Sequence, residues 1–119
     1  QNVWARQLNI ELPDGGTHLT NPGAVLWVLG YKTERGGTLV HTSGGGKTEL
    51  FGTFSYTTTK GRAAPMFVND ESSVFAFFGE VCFSGDPFRT LVRETRGGVT
   101  KEVLAGRGSV APYSGYGAK

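Results

Sequence analysis

The stretch Thr38-Leu-Val-His-Thr-Ser-Gly-Gly-Gly-Lys-Thr-Glu-Leu-Phe-Gly52 returns in altered form as Thr90-Leu-Val-Arg-Glu-Thr-Arg-Gly-Gly-Val-Thr-Lys-Glu-Val-Leu-Ala-Gly106. Both read Thr-Leu-Val-basic, then a Gly-Gly turn, then Lys, Glu and an apolar pair before glycine. The offset is 52 residues at the start. Halfway between lies Pro65-Met-Phe-Val68, followed by a polar turn over Asn69–Ser73 and by Val74-Phe-Ala-Phe-Phe-Gly79. The period is therefore about 26 residues. An earlier unit fits more loosely: Thr17-His-Leu-Thr20, the Asn21-Pro-Gly turn, and Val25-Leu-Trp-Val-Leu-Gly30. Its closing glycine aligns with the others as Gly30, Gly52, Gly79 and Gly106. The column two places earlier reads Val28, Leu50, Phe77 and Leu104, and the next reads Leu29, Phe51, Phe78 and Ala105. Apolar columns of this kind predict an internal stack of repeats.

Around this repeat the strand signals are regular and the helix signals weak. Val25–Leu29, Thr38–His41, Glu49–Thr58, Val74–Phe83, Thr90–Arg93 and Glu102–Leu104 are short, rich in β-branched and aromatic residues, and bounded by glycine or polar turns. The one helix-spaced stretch, Arg89–Leu104, is broken by Gly97 and Gly98. An all-β chain follows. A repeat of this length with glycine corners predicts a short parallel β-solenoid of about four coils, since one coil cannot bury its apolar face alone. The expected organisation is an N-terminal cap over 1–16, coils over 17–107 and a C-terminal tail over 108–119. The competing fold is a β-sandwich or jelly roll, with Gly44–Gly46 and Lys60–Arg62 as hairpin turns.

Composition narrows the class. Glycine supplies 19 of 119 residues, well above the usual share of about 7%, but without the period of three that collagen requires. The length fits one domain. Aromatic content is too high for a disordered tail. No apolar run reaches the length of a membrane-spanning helix. A net charge of +2 with scattered basic residues gives no nucleic-acid footprint. Gln1 in place of an initiator Met reads as the start of a processed chain or an excised domain. The lone Cys82 excludes an internal disulfide, and its apolar neighbours predict a buried, unreactive side chain.

From Leu26 the run Leu-Trp-Val-Leu-Gly-Tyr-Lys-Thr-Glu-Arg-Gly-Gly-Thr-Leu-Val-His-Thr, followed by Gly-Gly-Lys-Thr-Glu-Leu-Phe-Gly-Thr-Phe-Ser-Tyr, resembles the late coils of bacterial pectate-lyase-superfamily proteins. Pro65-Met-Phe-Val-Asn-Asp and Phe78-Gly-Glu-Val fit the same pattern, and the likeness covers roughly residues 24–105. It implies a right-handed parallel β-helix, secretion and polysaccharide-directed chemistry. It is also similar to short β-helix carbohydrate-binding modules of plant-wall enzymes. The shared motifs are structural, so no catalytic residue transfers.

Chemistry has few other handles. Gly44-Gly-Gly-Lys-Thr has the wrong spacing for a phosphate loop. Asp14, Asp70, Glu71 and Asp86 stand in turn sequences. Glu49 and Glu102 occupy similar repeat positions, about 10 Å apart across two coils, which suits neither a carboxylate dyad nor a calcium cage. His18 and His41 occupy corresponding positions in adjacent coils, where a calcium or copper centre would need further ligands; no cofactor is expected.

Aromatic residues are the best lead, because Trp and Tyr bodies cover the apolar faces of sugars while their polar tips bond hydroxyls. Trp4, Trp27, Tyr31 and Tyr56 are the candidate ligand-binding residues, with Lys32, Arg35 and Lys60 able to read uronate carboxylates. Tyr31, after Gly30, and Tyr56, in a polar strand, are expected on the surface; Phe54, Tyr113 and Tyr116 are further aromatic candidates. Phe75, Phe77 and Phe78 are expected in the core.

The expected function is non-catalytic binding of extended cellulose, xylan or pectin-type chains within a secreted, extracellular plant-cell-wall-degrading system. An enzyme (lyase, hydrolase or copper-dependent oxidative) and a structural cap of a larger β-helix are the alternatives. No nucleic-acid or membrane partner is expected, and open solenoid ends leave homodimerisation open.

Overall fold

In the computed structural model, residues 1–12, 16–59, 64–106 and 110–116 are described. Ten strands follow in chain order: β1 (Asn2–Asn9), β2 (Thr17–Pro22), β3 (Val25–Thr33), β4 (Thr38–Ser43), β5 (Lys47–Thr57), β6 (Phe67–Asp70), β7 (Ser73–Cys82), β8 (Thr90–Arg96), β9 (Val99–Leu104) and β10 (Val110–Gly115). The chain alternates between two five-stranded sheets, ordered β1-β3-β5-β7-β10 and β2-β4-β6-β8-β9. Within each sheet the first four strands are parallel, and the last is antiparallel. Four coils of two strands each thus form a flattened β-solenoid, closed at its C-terminal end by two reversed strands.

The rungs of the second sheet obey the sequence repeat. Val40 is level with Phe67, and Phe67 with Val92. Leu39 N–H donates to Met66 O at 2.8 Å, and Met66 N–H to Thr90 O at 3.0 Å. The 52-residue offset therefore spans two rungs, as expected. The core between the sheets contains Val28, Leu50 and Ala76 in one row. Phe67 meets Phe78 edge to face across the gap, with centroids 5.0 Å apart. At one corner Asn21 is buried and its amide bonds Ala24 O, Lys47 O and Thr48 Oγ1, which satisfies backbone groups that the turn leaves over.

The glycine columns behave differently from expectation. Gly30 and Gly52 do not close coils; they lie inside β3 and β5 with φ of 80° and 77°. Gln7, at φ 52°, stands beside Gly30 in β1. The register skips this level, passing from Arg6–Leu29–Phe51 directly to Leu8–Tyr31–Thr53. Each such residue is a bulge that inverts the in-out alternation of everything after it. β7 has no bulge, so Phe51 pairs with Phe77 and Thr53 with Phe78, and the column expected to hold Phe77 in the core holds Ala76. Phe78 is buried; Phe77 is 49% exposed and Phe75 only half-buried.

Gly52 tests this device, because open space surrounds its Cβ position and only the backbone objects to a side chain. Gly52→Val is expected to cost about 2 kcal/mol in chemical denaturation. A loss below about 0.5 kcal/mol would mean that the strand passes the site without a left-handed residue.

The two halves of the repeat also diverge. After β8, Gly97 and Gly98 have φ of 53° and 75°, the signature of a tight hairpin turn, and β9 folds back on β8. After β4, Gly44 and Gly45 have φ of 59° and 72°, and Gly46 N–H donates to Ser43 O at 3.0 Å, so the same turn begins. Gly46 is the added residue. It is buried, and a Cβ there would lie 3.1 Å from Asn21 O, Gly23 N and Ser43 O. The chain then crosses to the other sheet as β5.

Other expectations shift accordingly. Residues 2–9, expected in a cap, form β1, a parallel rung on β3. Leu104 lies exposed on β9 and not in an internal stack. Cys82 is only half-buried, with Sγ 3.7 Å from Ser84 O. The turns expected at Asp14 and Lys60–Arg62 fall outside the described residues.

Candidate functional site on the outer face of the first sheet

The solenoid's two outward faces have opposite chemistry. The second sheet presents Thr20, His41, Val68 and Arg93 in one row. His41 Nε2 lies 2.8 Å from Asp70 Oδ2, and Arg93 Nε donates to Glu102 Oε1 at 2.8 Å. The first sheet presents aromatic rings. One outward row runs Trp4–Trp27–Glu49–Phe75 and the next Arg6–Leu29–Phe51–Phe77, each crossing β1, β3, β5 and β7. Beyond the bulge, Phe54, Tyr56, Val81 and Phe83 continue the face.

These rings pack on one another. Trp4 and Trp27 stack nearly parallel, 11° apart with centroids at 5.2 Å. Phe51 and Phe75 are 5.4 Å apart, and Tyr56 stacks on Phe83 at 5.2 Å. They are nonetheless wet: Trp4 is 69% and Phe83 72% exposed. A groove of about 460 Å³ lies among Trp4, Arg6, Trp27, Leu29 and Phe51. A second, of about 570 Å³, lies where Lys47, Glu49, Glu71, Phe75 and Tyr116 meet. This contiguous exposed apolar surface is the candidate interaction face.

Of the candidate ligand residues, Trp4, Trp27 and Tyr56 lie on this face. Tyr31 does not, which corrects the expectation: it is 1% exposed. The left-handed Gly30 precedes it and turns it inward alongside Val28. Its hydroxyl lies 3.1 Å from His18 Nδ1, and His18 Nε2 is 2.8 Å from Gly36 O. Burial, with Glu11 adding, pushes the Tyr31 phenol well above its ordinary value. Tyr113 is likewise held inside, its hydroxyl donating to Glu94 and lying 3.0 Å from the Asn69 amide.

Lys32 and Arg35 do not stand free to read carboxylates. Lys32 pairs with Glu34 and lies 3.8 Å from Glu11, and Arg35 Nε lies 3.8 Å from Glu11. The Glu34 hydrogen bond raises the Lys32 ammonium above its usual range. Lys60 is outside the described residues. His18 and His41 do not share a site: His18 is level with the interior, while His41 pairs with Thr20 on the outward row. Among the described residues no three His, Cys, Asp or Glu side chains gather as a metal-holding group. Glu49 and Glu102 lie in different sheets and carry no paired chemistry. Asp70 ends β6, and Glu71 takes the turn at φ 47°. Missed by sequence reasoning were Leu29, Phe51, Phe77 and Phe83 on the outer face. Phe51 and Phe77 point outward by ordinary alternation, next to the buried Leu50 and Ala76.

Behind the aromatic face the pattern is inverted. Thr53, Ser55 and Thr57 point inward while Phe54 and Tyr56 point out. Thr33, Ser55 and Glu80 form one interior row. Among the described residues, Thr53 Oγ1, Ser55 Oγ and Glu80 Oε1 are buried without a hydrogen-bond partner. Burial raises the Glu80 carboxyl above its usual range, opposed by the Phe88 backbone N–H. The folded chain therefore holds this proton more tightly than the unfolded one. That contribution is full below the ordinary glutamate range, about 4.3, and is lost as pH rises through the raised value. Glu80→Gln is expected to flatten this dependence and raise the melting temperature at neutral pH by a few degrees. An unchanged pH–stability curve would show that Glu80 titrates normally.

Fold and face together define a short two-sheet β-solenoid with one aromatic outer surface. No family model, curated protein or solved structure matches the chain.

Proposed function

We propose that the chain is a non-catalytic polysaccharide-binding module, acting outside the cell in the breakdown of plant-wall material. The observation that carries this reading is the inverted pattern of β5. A strand that places Phe54 and Tyr56 in water and leaves Thr53 and Ser55 hydroxyls buried without partners breaks the ordinary apolar-in rule. Sequences keep such local violations where function requires them. The aromatic rows cross successive strands at a spacing of about 4.8 Å, so an extended glycan can lie across the rungs with its ring faces on indole and phenyl.

Co-sedimentation with insoluble cellulose, xylan and pectin tests the proposal. Retention on at least one, released by the matching soluble oligosaccharide, is expected; no retention on any would overturn it. A second reading has its own observation. Among the described residues, both sheets leave a parallel strand edge unpaired at the β1–β2 end, whereas the other end closes with antiparallel β9 and β10. That asymmetry suits the closing coils of a longer β-helix, in keeping with the pectate-lyase-superfamily resemblance, and is compatible with a glycan-binding outer face.

A further inference from the structure

We infer that the row Trp27–Glu49–Phe75 reads sugar hydroxyls, and that the ligand is a neutral glycan, not a polyuronate. This rests on the glycan-binding reading above. Glu49 is exposed on β5, level with Trp27 on one side and Phe75 on the other. Among the described residues it has no hydrogen-bond or ion-pair partner. A free carboxylate set between two aromatic faces accepts hydrogen bonds from hydroxyls and offers none. A neutral ring stacked on Trp27 or Phe75 can direct a pair of hydroxyls to its two oxygens, and such charge-assisted bonds are the strong ones.

The charges around the row point the same way. The groove on the Phe75 side holds two carboxylates, Glu49 and Glu71, against one ammonium, Lys47. Lys47 stands two residues before Glu49 on the same outward side of β5, and Arg6 lies on β1, two strands away from Glu49. Lys32 and Arg35 are already neutralised by Glu11 and Glu34. A polyuronate laid across the strands would bring its carboxylates into a groove whose described lining holds two carboxylates against one ammonium, and like charges brought together repel.

Isothermal titration with cellohexaose, xylohexaose and hexagalacturonate separates the outcomes. A neutral hexasaccharide is expected to bind at least about tenfold more tightly than hexagalacturonate. Glu49→Gln should weaken the neutral ligand by about tenfold, the size expected for one charged hydrogen bond, and Glu49→Asp should restore part of it. Glu49 is exposed, so melting temperatures of both variants should match the parent. Hexagalacturonate binding as tightly as the neutral chains, or neutral binding untouched in Glu49→Gln, would overturn the inference and leave the glycan-binding reading standing. Failure of all three oligosaccharides to bind would overturn both.

Discussion

Tyr31→Ala is expected to destabilise the fold by about 3–5 kcal/mol, the cost of removing a large aromatic side chain from a packed interior. That is a large part of the total stability of a small domain. Tyr31 packs among the largest fully buried side chains, and its hydroxyl is the partner of His18 Nδ1. Tyr31→Phe keeps the ring and removes only that partner, so it should cost roughly 1–3 kcal/mol. Denaturant titration of both variants measures the two terms separately. The opposite pattern is also clear: unchanged stability in Tyr31→Ala, with weakened glycan binding, would place this residue on the surface and would remove the bulge at Gly30 from the account.

Trp27→Ala should do the reverse. Trp27 is held on the outer face against Trp4, and its removal leaves the interior rows of β3 in place. Stability should fall by less than about 1.5 kcal/mol, while polysaccharide affinity falls about 30-fold or more, the loss typical of a central aromatic anchor. Trp4→Ala should weaken binding too, and the double variant should lose less than the two single losses combined, because each indole helps to hold the other. Depletion assays on the insoluble polymer, with thermal melts as the control, give both quantities. Unaltered affinity in Trp27→Ala would move the site away from this stack.

The two-sheet stacking was legible because the rungs of the second sheet carry it in plain form. Thr38-Leu-Val, Pro65-Met-Phe and Thr90-Leu-Val sit at matching levels, and the β4–β6 and β6–β8 pairings run without a register shift. The first sheet was legible only up to its bulges. Alignment on glycine assumed that Gly30, Gly52 and Gly79 did the same job. Gly79 is an ordinary strand residue opposite Phe54, whereas the other two invert the alternation. Composition cannot distinguish these uses of one residue; backbone φ can. The same limit hid the fate of the two Gly-Gly turns, since one additional glycine, Gly46, separates a crossing from a hairpin.

The site was partly legible for a related reason. Trp27 alternates with the buried Leu26 and Val28, and Tyr56 stands in the polar run Ser55-Tyr-Thr-Thr, so the outward side of each had a sequence signal. Tyr31 was misplaced by alternation counted through Gly30. Lys32 and Arg35 looked like free cations because the partner Glu11 lies more than twenty residues earlier and meets them only when β1 stacks on β3.

The bulge column also sets what kind of change can remodel this surface. A substitution alters one position of the face. Removing or adding a residue at the level of Gly52 changes the parity of the rest of β5, sending Phe54 and Tyr56 inward and Thr53, Ser55 and Thr57 out. One glycine therefore separates a greasy platform backed by a hydroxyl-rich interior from an ordinary strand with an oily core and a polar skin. Within such a scaffold, ligand-binding faces can be gained or erased by single-codon insertions and deletions, a route along which intermediates with half-converted surfaces need not exist.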